Sequence, residues 1–432
     1  MNIDPWWGIV LLIGQGMVAV LAEPMFWMIL MLVGWQYWQL ARSQERMFGI
    51  AGSSLIRQVL QAGLLGLAGG LLGSFLLTLT GVTLNQLGLQ YIWPVALALM
   101  IINMRFLCFA YAGGIVALAN VLFGWPLVDV PQILALVAVL HITESFLIAV
   151  SGACSNLPVV LRREDGRQVG AFTLQNFWPL PLVMLAAVLV PAESAPMGVN
   201  MPDWWPLLPA GEPAPGQTWQ YVMIPVVAAL GYTDMAIASH PRRRRLESAR
   251  NLAVYSLVLL GAAFLATKYS WIAAVAALLS PLGHELLIRW DNRREMNGVP
   301  RFVPPPAGVM VLDTVPGTPA RRGGIQTGDV LTSVAGMTIH NRRDLAVALA
   351  YAPMEFAVIL EREGQQQRIA VAFTAAPEEP DNEDENPDGR MLGVITVPEG
   401  DETGYVELHG EHFGLPAWLW RIWKGFWKNY IR

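Results

Sequence analysis

Over residues 1–290 the chain is a series of apolar runs separated by short polar segments. A helix needs about 20 mostly apolar residues to cross the hydrocarbon core of a bilayer. Ten runs meet or approach that length: Trp6–Ala22, Pro24–Leu40, Val59–Thr80, Tyr91–Asn103, Phe106–Gly124, Ile133–Ser151, Trp178–Val190, Trp219–Ala238, Leu252–Thr267 and Trp271–Ile288. The fourth and seventh are short, so eight spans is the alternative. At Val299 the pattern changes, and Pro300, Pro304, Pro305 and Pro306 mark a stiff linker over 291–306. Short elements follow over 307–376. A strand is predicted at Gly308–Thr314, then a turn at Pro316–Ala320 that starts a short helix, which Gly323 and Gly324 end as glycine does at a helix C-terminus. Gly328 and Asp329 turn the chain into the strand Val330–Val334. The helix Arg343–Tyr351 sets Leu345, Ala346 and Leu349 on one face, and strands Phe356–Glu361 and Arg368–Phe373 meet at a turn on Gly364. The fold class expected is a polytopic α-helical membrane domain of about ten spans followed by a small α+β domain.

Composition supports that division. Of 432 residues, 54% are hydrophobic and 14% charged, whereas soluble domains carry about 25% charged residues. Residues 1–290 hold 14 Lys+Arg and 13 Asp+Glu, so the acidic excess lies in the last third. Nothing here provides the basic surface that nucleic acid requires. Two cysteines, Cys108 and Cys154, make no disulfide framework. The N-terminus has neither a basic region nor a small-residue cleavage site, so the first run is expected to be a retained span. Basic residues fix orientation, because loops rich in Lys and Arg stay cytoplasmic. Arg42, Arg46, Arg57, Arg105, Arg162, Arg163, Arg167, Arg242–Arg245 and Arg250 fall in one set of loops, and Lys268 alone in the other. Both ends are then cytoplasmic, and the outer segment 191–218 carries Trp204 and Trp205, which suit an interface.

Polar residues inside spans are the first candidates for chemistry. His141 and Glu144 share one helix face, where an interhelix hydrogen-bonded pair is favoured over a proton relay or metal ligands. His284-Glu285 begins a zinc-protease pattern, but Ile288 stands where the second histidine of His-Glu-x-x-His must be. Asn386-Pro387-Asp388-Gly389 resembles a ligand motif of intramembrane zinc proteases, but it lies in an acidic stretch. No metal, no cofactor and no catalytic residues are therefore expected. Asp234, near a span end, is expected to be solvated. Gly66-x-x-x-Gly70 and Gly69-x-x-x-Gly73 allow close helix approach; packing within one bundle is favoured, a homo-oligomer seam being the alternative. Asp165-Gly166 between apolar flanks predicts a hairpin over Leu157–Phe172, with Arg162, Arg163 and Arg167 as headgroup anchors.

The run Val315–Ala320, VPGTPA, followed by GIQTGDVL at Gly324–Leu331, resembles a PDZ domain of the bacterial type. Such domains bind an extended peptide, often a C-terminus, as an added strand. The resemblance implies a groove near Gly308, Val309, Met310, Leu345 and Leu349. It also implies an apolar strand with a glycine whose amides take the peptide carboxylate. No such strand clearly precedes Gly308. Met391–Val397, MLGVITV, follows the domain, so Leu392, Gly393 and Val394 are expected to complete the fold over 391–398 in permuted order. The acidic segment 377–390 is expected to be a solvated linker. A polytopic domain with one C-terminal PDZ domain resembles the MinJ-type cell-division topological determinants, as do RFLCFAYAGG at Arg105–Gly114, DVPQILALVAVLHITESFLI at Asp129–Ile148 and LQNFWPLPL at Leu174–Leu182. That resemblance implies a scaffold at the cell membrane, at poles or division site, linking a DivIVA-like polar protein to a MinD-like ATPase. A PDZ-gated intramembrane zinc protease and a transporter with a regulatory PDZ domain are the alternatives from other classes.

The segment 414–432 places Trp418, Trp420, Trp423 and Trp427 beside Arg421, Lys424, Lys428 and Arg432. This pattern predicts an amphipathic helix lying on membrane lipids. Four basic residues near an anionic surface contribute about 4 kcal/mol at low salt. The peptide 414–432 should gain helicity and shift its tryptophan emission blue on anionic liposomes; failure of both at low salt would rule out membrane docking.

Overall fold

The computed structural model describes residues 5–48, 54–152, 156–163, 165–194, 199–373, 391–400, 402 and 406–407. The acidic segment 377–390 and the amphipathic segment 414–432 lie outside the described residues. Six helices come first: α1 (Pro5–Ala22), α2 (Pro24–Phe48), α3 (Leu55–Thr80), α4 (Leu89–Ile102), α5 (Phe109–Phe123) and α6 (Val130–Val150). They match the first six apolar runs. Among the described residues five helices are long and apolar enough to cross a membrane, α1, α3, α6 and the two that follow the strands below, and α4 and α5 are shorter apolar helices. Helix α6 is buried on nearly every side, from Val130 to Ile148. Its N-terminus is fixed by Asp129, whose carboxylate accepts from the Gln132 amide.

The seventh and eighth runs are not helices. They form a long antiparallel hairpin, β2 (Gln168–Pro191) and β3 (Gln217–Ala236), in register from Phe172↔Ala236 to Pro191↔Gln217. Prolines contribute locally. Pro225 falls inside the eighth run, where an interior proline costs a helix about 3 kcal/mol; Pro179 and Pro181 stand near the start of the seventh, and pairing of the two strands along the hairpin satisfies their backbone. The helices α7 (Pro241–Ala266) and α8 (Ser270–Asn297) then match the ninth and tenth runs. The expected turn at Asp165-Gly166 is present, joining β1 (Asn156–Arg162) to β2.

A strand in an apolar bundle must hide the amides of its outer edge. Strand β3 pairs one edge of β2 along its length, and β1 covers the other only as far as Leu174. Beyond that point α2, α3 and the loop after α3 supply the partners. The Phe177 amide donates to the Tyr37 hydroxyl at 3.2 Å, that of Val183 to Ser74 Oγ at 2.8 Å and that of Ala187 to Asn85 Oδ1 at 3.0 Å. Leu185 forms a bridge with Thr83. Positions 179 and 181 are prolines and have no N–H to satisfy. The glycine stripe of α3 makes the close approach: a Cβ on Gly66 would overlap the Pro179 carbonyl, and one on Gly70 the Pro181 carbonyl. Gly69 faces Leu147 of α6. The stripe is therefore packed inside one chain.

The C-terminal domain is an α+β sheet with order β8-β7-β5-β4-β9 and a small β6 on β5. Its elements are β4 (Val309–Thr314), α9 (Pro319–Gly323), β5 (Val330–Val334), β6 (Met337–Thr338), α10 (Arg342–Ala350), β7 (Glu355–Arg362), β8 (Gln365–Ala372) and β9 (Val394–Thr396). It is docked on the membrane domain. Helix α8 runs to Asn297, so the start of 291–306 is helical, and fully buried Phe302 packs on Phe172 at 5.3 Å. The Gly170 amide donates to the Phe302 carbonyl, and the Arg301 amide to Ile237. Leu312, Ile395 and Val397 join the same core as α6, and β10 (Val406–Glu407) extends β1 in parallel.

Ser74→Ala leaves the Val183 amide without an acceptor, a loss of about 1–3 kcal/mol. It should lower the unfolding midpoint of the purified chain in detergent, and Gly70→Val should lower it further. Gly63→Ala, where the new methyl meets open space, is the neutral control. Equal behaviour of Ser74→Ala and Gly63→Ala would contradict this account of the strand edge.

Candidate functional site

The sheet order decides where a peptide can add. Strand β4, which carries Val309 and Met310, lies inside the sheet. Val309 and Met310 pair with Leu331 and Val330 of β5, and the other edge of β4 pairs with β9 from Val311↔Thr396 to Thr314↔Val394. Val309 is core, Met310 packs toward the membrane domain, and Gly308 has a positive φ of 86° with its backbone against Leu331. These three residues are thus removed from an open edge. Leu392, Gly393 and Val394 lead into β9, which is the outer strand.

The loop before β9 is built around Gly393. Its φ of 77° is left-handed, and a Cβ there would overlap the Thr318 side chain. Carbonyls hold the loop: Gly393 accepts from the Val315 amide and Leu392 from the Ala320 amide, both at 2.9 Å. Leu392 is buried beneath it. Helix α10 lies alongside, with Leu345 buried and Leu349 half-buried against the same core. Asn341 caps α10 by accepting from the Asp344 amide. Arg362 braces the far side, reaching both oxygens of buried Asp329 at 2.8 and 2.7 Å and the Gly324 carbonyl at 2.8 Å.

Arg342, at the first turn of α10, ties the helix to the segment after β9. Its guanidinium donates to the Val397 carbonyl at 3.2 Å and pairs with Glu402 at 2.7 Å, while its amide donates to Glu399. Burial acts to raise the Glu402 carboxyl, but Arg342 and the amides of Glu399 and Gly400 outweigh it and hold the group below the ordinary glutamate range. Glu402 also meets Gln168 of β2, so this latch connects the groove to the membrane hairpin.

Two polar groups are sealed in the membrane domain. In the first, Asp234 is buried rather than solvated. It accepts from Arg244 at 2.9 Å, Ser248 at 2.7 Å and Tyr232 at 3.0 Å. The same arginine lies 3.9 Å from Asp291, and Glu295 caps the chain entering α7 by accepting from the amides of Ile237, Ala238 and Ser239. Arg244 and Arg245, expected in a polar loop, are buried: Arg244 reaches Asp234 and Arg245 donates to the Gly152 carbonyl.

The second group gathers Cys108, at the N-cap of α5, with His141 of α6 and His284 of α8. One ligand atom from each lies within 4.8 Å of the others. His141 Nε2 is 3.2 Å from Cys108 Sγ, and its Nδ1 is 2.6 Å from the Val137 carbonyl. The rings of Tyr255 and Tyr111 wall the group, and Glu285 with Tyr111, Arg105 and Arg289 lies beside it at 2.6–2.8 Å contacts. The expected partner of His141 was Glu144. The structure instead brings it to Cys108 and His284, while Glu144 is half-buried one turn along. No spacing in the sequence marks this set, because three separate helices bring it together.

Comparison with known proteins agrees with the geometry. Residues 310–360 match the PDZ domain family. The chain is 25% identical to the cell division topological determinant MinJ of Bacillus subtilis over 224 residues, 51% of this chain and 52% of that protein. It is 36% identical over 73 residues to the mitochondrial serine protease HTRA2 of Drosophila virilis, 17% of this chain and 16% of that protein. It is 32% identical over 111 residues to a probable periplasmic DegP-like serine endoprotease of Bartonella henselae, 23% and 22% of the two chains. The protease matches are confined to the PDZ region. The chain spans about half or less of the length of the curated relatives it matches. The chain is thus similar to MinJ over about half its length, and it carries a PDZ domain.

A carboxyl with a depressed folded pKa contributes stability above its unfolded value and loses it as the pH falls through the folded one. The Arg342–Glu402 latch should therefore loosen only as the pH falls below the ordinary glutamate range. Hydrogen exchange at the Glu399 and Gly400 amides, which donate to the Glu402 carboxylate, corrected for intrinsic rate, should accelerate over that range. Glu402→Gln should exchange faster at neutral pH and lose the acid step; an unchanged step in that variant would assign the transition to another group.

Proposed function

We propose that the protein is a membrane-anchored adaptor of bacterial cell division that recruits partners through its PDZ groove and has no catalytic role of its own. The observation that carries this is the outer strand β9 with its left-handed Gly393 loop, set beside α10. An entering peptide adds as a strand to β9. Its terminal carboxylate is received by the Gly393 and Val394 amides, and its last side chain packs toward Leu349. Likeness to MinJ supports the division role. In this proposal the ligands are cytoplasmic division proteins, a DivIVA-like polar scaffold and a MinD-like ATPase, and the protein sits at the division site or poles with its PDZ domain in the cytoplasm. A zinc-protease role gains nothing from the protease matches, which are confined to the PDZ region, and Ile288 denies His284 a second histidine on its helix.

The test uses the full chain in nanodiscs with fluorescent peptides ending in an apolar residue and a free carboxylate. Amidating that carboxylate, or introducing Leu349→Glu, should weaken binding at least about tenfold, equivalent to 1.4 kcal/mol. In cells, a fluorescent fusion should gather at septa, and crosslinking should recover the division partners from the wild type and not from Leu349→Glu. Equal binding of free and amidated peptides would overturn the groove assignment.

A further inference from the structure

We propose that Cys108, His141 and His284 form a metal site for a zinc-class divalent cation inside the membrane domain. Three observations converge. The ligand atoms come from the starts or interiors of three helices and lie within 4.8 Å of one another. Tetrahedral zinc with one sulfur and two nitrogens needs separations of about 3.3–3.6 Å, and the Cys108 Sγ–His141 Nε2 distance is already 3.2 Å. The other contacts need shifts within the reach of side-chain rotation.

The state of His141 favours ligation. With its Nδ1 proton on the Val137 carbonyl at 2.6 Å, the lone pair of Nε2 faces the thiol. Metal-bound histidines commonly hold their second nitrogen on a backbone carbonyl in this way, which fixes tautomer and ring orientation. His284 supplies the independent sign. It is 8% exposed, and its Nδ1 atom is buried without a hydrogen-bond partner among the described residues. An imidazole nitrogen left bare in an apolar bundle is costly, and a cation in the cluster draws on the imidazole for a ligand.

The donor set selects the ion. One thiolate and two imidazoles suit zinc and exclude the oxygen-seeking magnesium and calcium. Three protein ligands leave a fourth position, open to water or to Glu144 on the next turn of α6. The ion would tie α5, α6 and α8 together beneath the Arg105–Glu285–Arg289 cluster.

The experiment uses the full chain, purified in detergent with a tag free of histidine, and two readouts. Elemental analysis should find about one zinc per chain. The single variants Cys108→Ser and His284→Gln should each retain at least about tenfold less after dialysis. Cobalt(II) replacing zinc in the wild type should show tetrahedral visible bands and a thiolate-to-cobalt charge-transfer band in the near ultraviolet, and Cys108→Ser should lose the second. Absence of that charge-transfer band in the wild type overturns the proposal, as does zinc that survives both substitutions. If either variant fails to fold, the wild-type cobalt spectrum decides alone.

Discussion

A strand running through an apolar bundle must find partners for an edge of backbone that no water can reach. This constraint shapes the membrane domain. Along β2 it is met in three ways: prolines at 179 and 181 remove donors, the side chains of Tyr37, Ser74 and Asn85 accept from the amides of Phe177, Val183 and Ala187, and Thr83 bridges Leu185. The Ser74 bond requires α3 to lie close against β2, and the glycines at 66 and 70 permit backbone contact there. An unmet amide in such a place costs more than a hydrogen bond returns. The hairpin and α3 are consequently one unit.

The same hairpin sets the position of the PDZ domain. Its lower end continues into β1, meets Phe302 and Leu312, and is joined by β10. Ile395 of the outer strand β9, with Val397 just after it, belongs to the membrane core. Groove and bundle are therefore packed through one continuous apolar contact, with Arg342, Glu402 and Gln168 forming the polar rim. A partner captured at β9 would be held against the base of the membrane domain, which raises its effective concentration toward other molecules at the same surface.

Charge inside the bundle is handled by pairing. Asp234, Arg244, Asp291 and Glu295 form one network, and Glu285 with Arg105 and Arg289 another. A buried pair such as Arg244–Asp234 adds little net stability against an apolar alternative, but removing one partner is severe; Glu285, Arg105 and Arg289 are partly exposed. Arg244 near the start of α7 and Asp291 and Glu295 near the end of α8 tie those helices to the hairpin end around Asp234.

Much was legible in the sequence. Eight apolar runs are helices because their composition and length allow little else, and the PDZ strands and helices follow from turn glycines and alternating positions. Strand β9, Val394–Thr396, lies within the apolar run Met391–Val397, which stands out in the sequence because it carries a glycine after an acidic segment. The hairpin is not legible in hydropathy, since a run of apolar residues reads alike as helix or strand, and proline alone does not separate the two, because Pro94 and Pro281 sit inside α4 and α8. What the tertiary structure alone decided is which polar groups meet. Asp234 finds Arg244 across a turn, β4 is enclosed by β9, and Cys108, His141 and His284 converge from separate helices. Those pairings depend on helix packing and sheet order, which are set by the sum of many weak contacts between residues distant in sequence, and no local pattern encodes them.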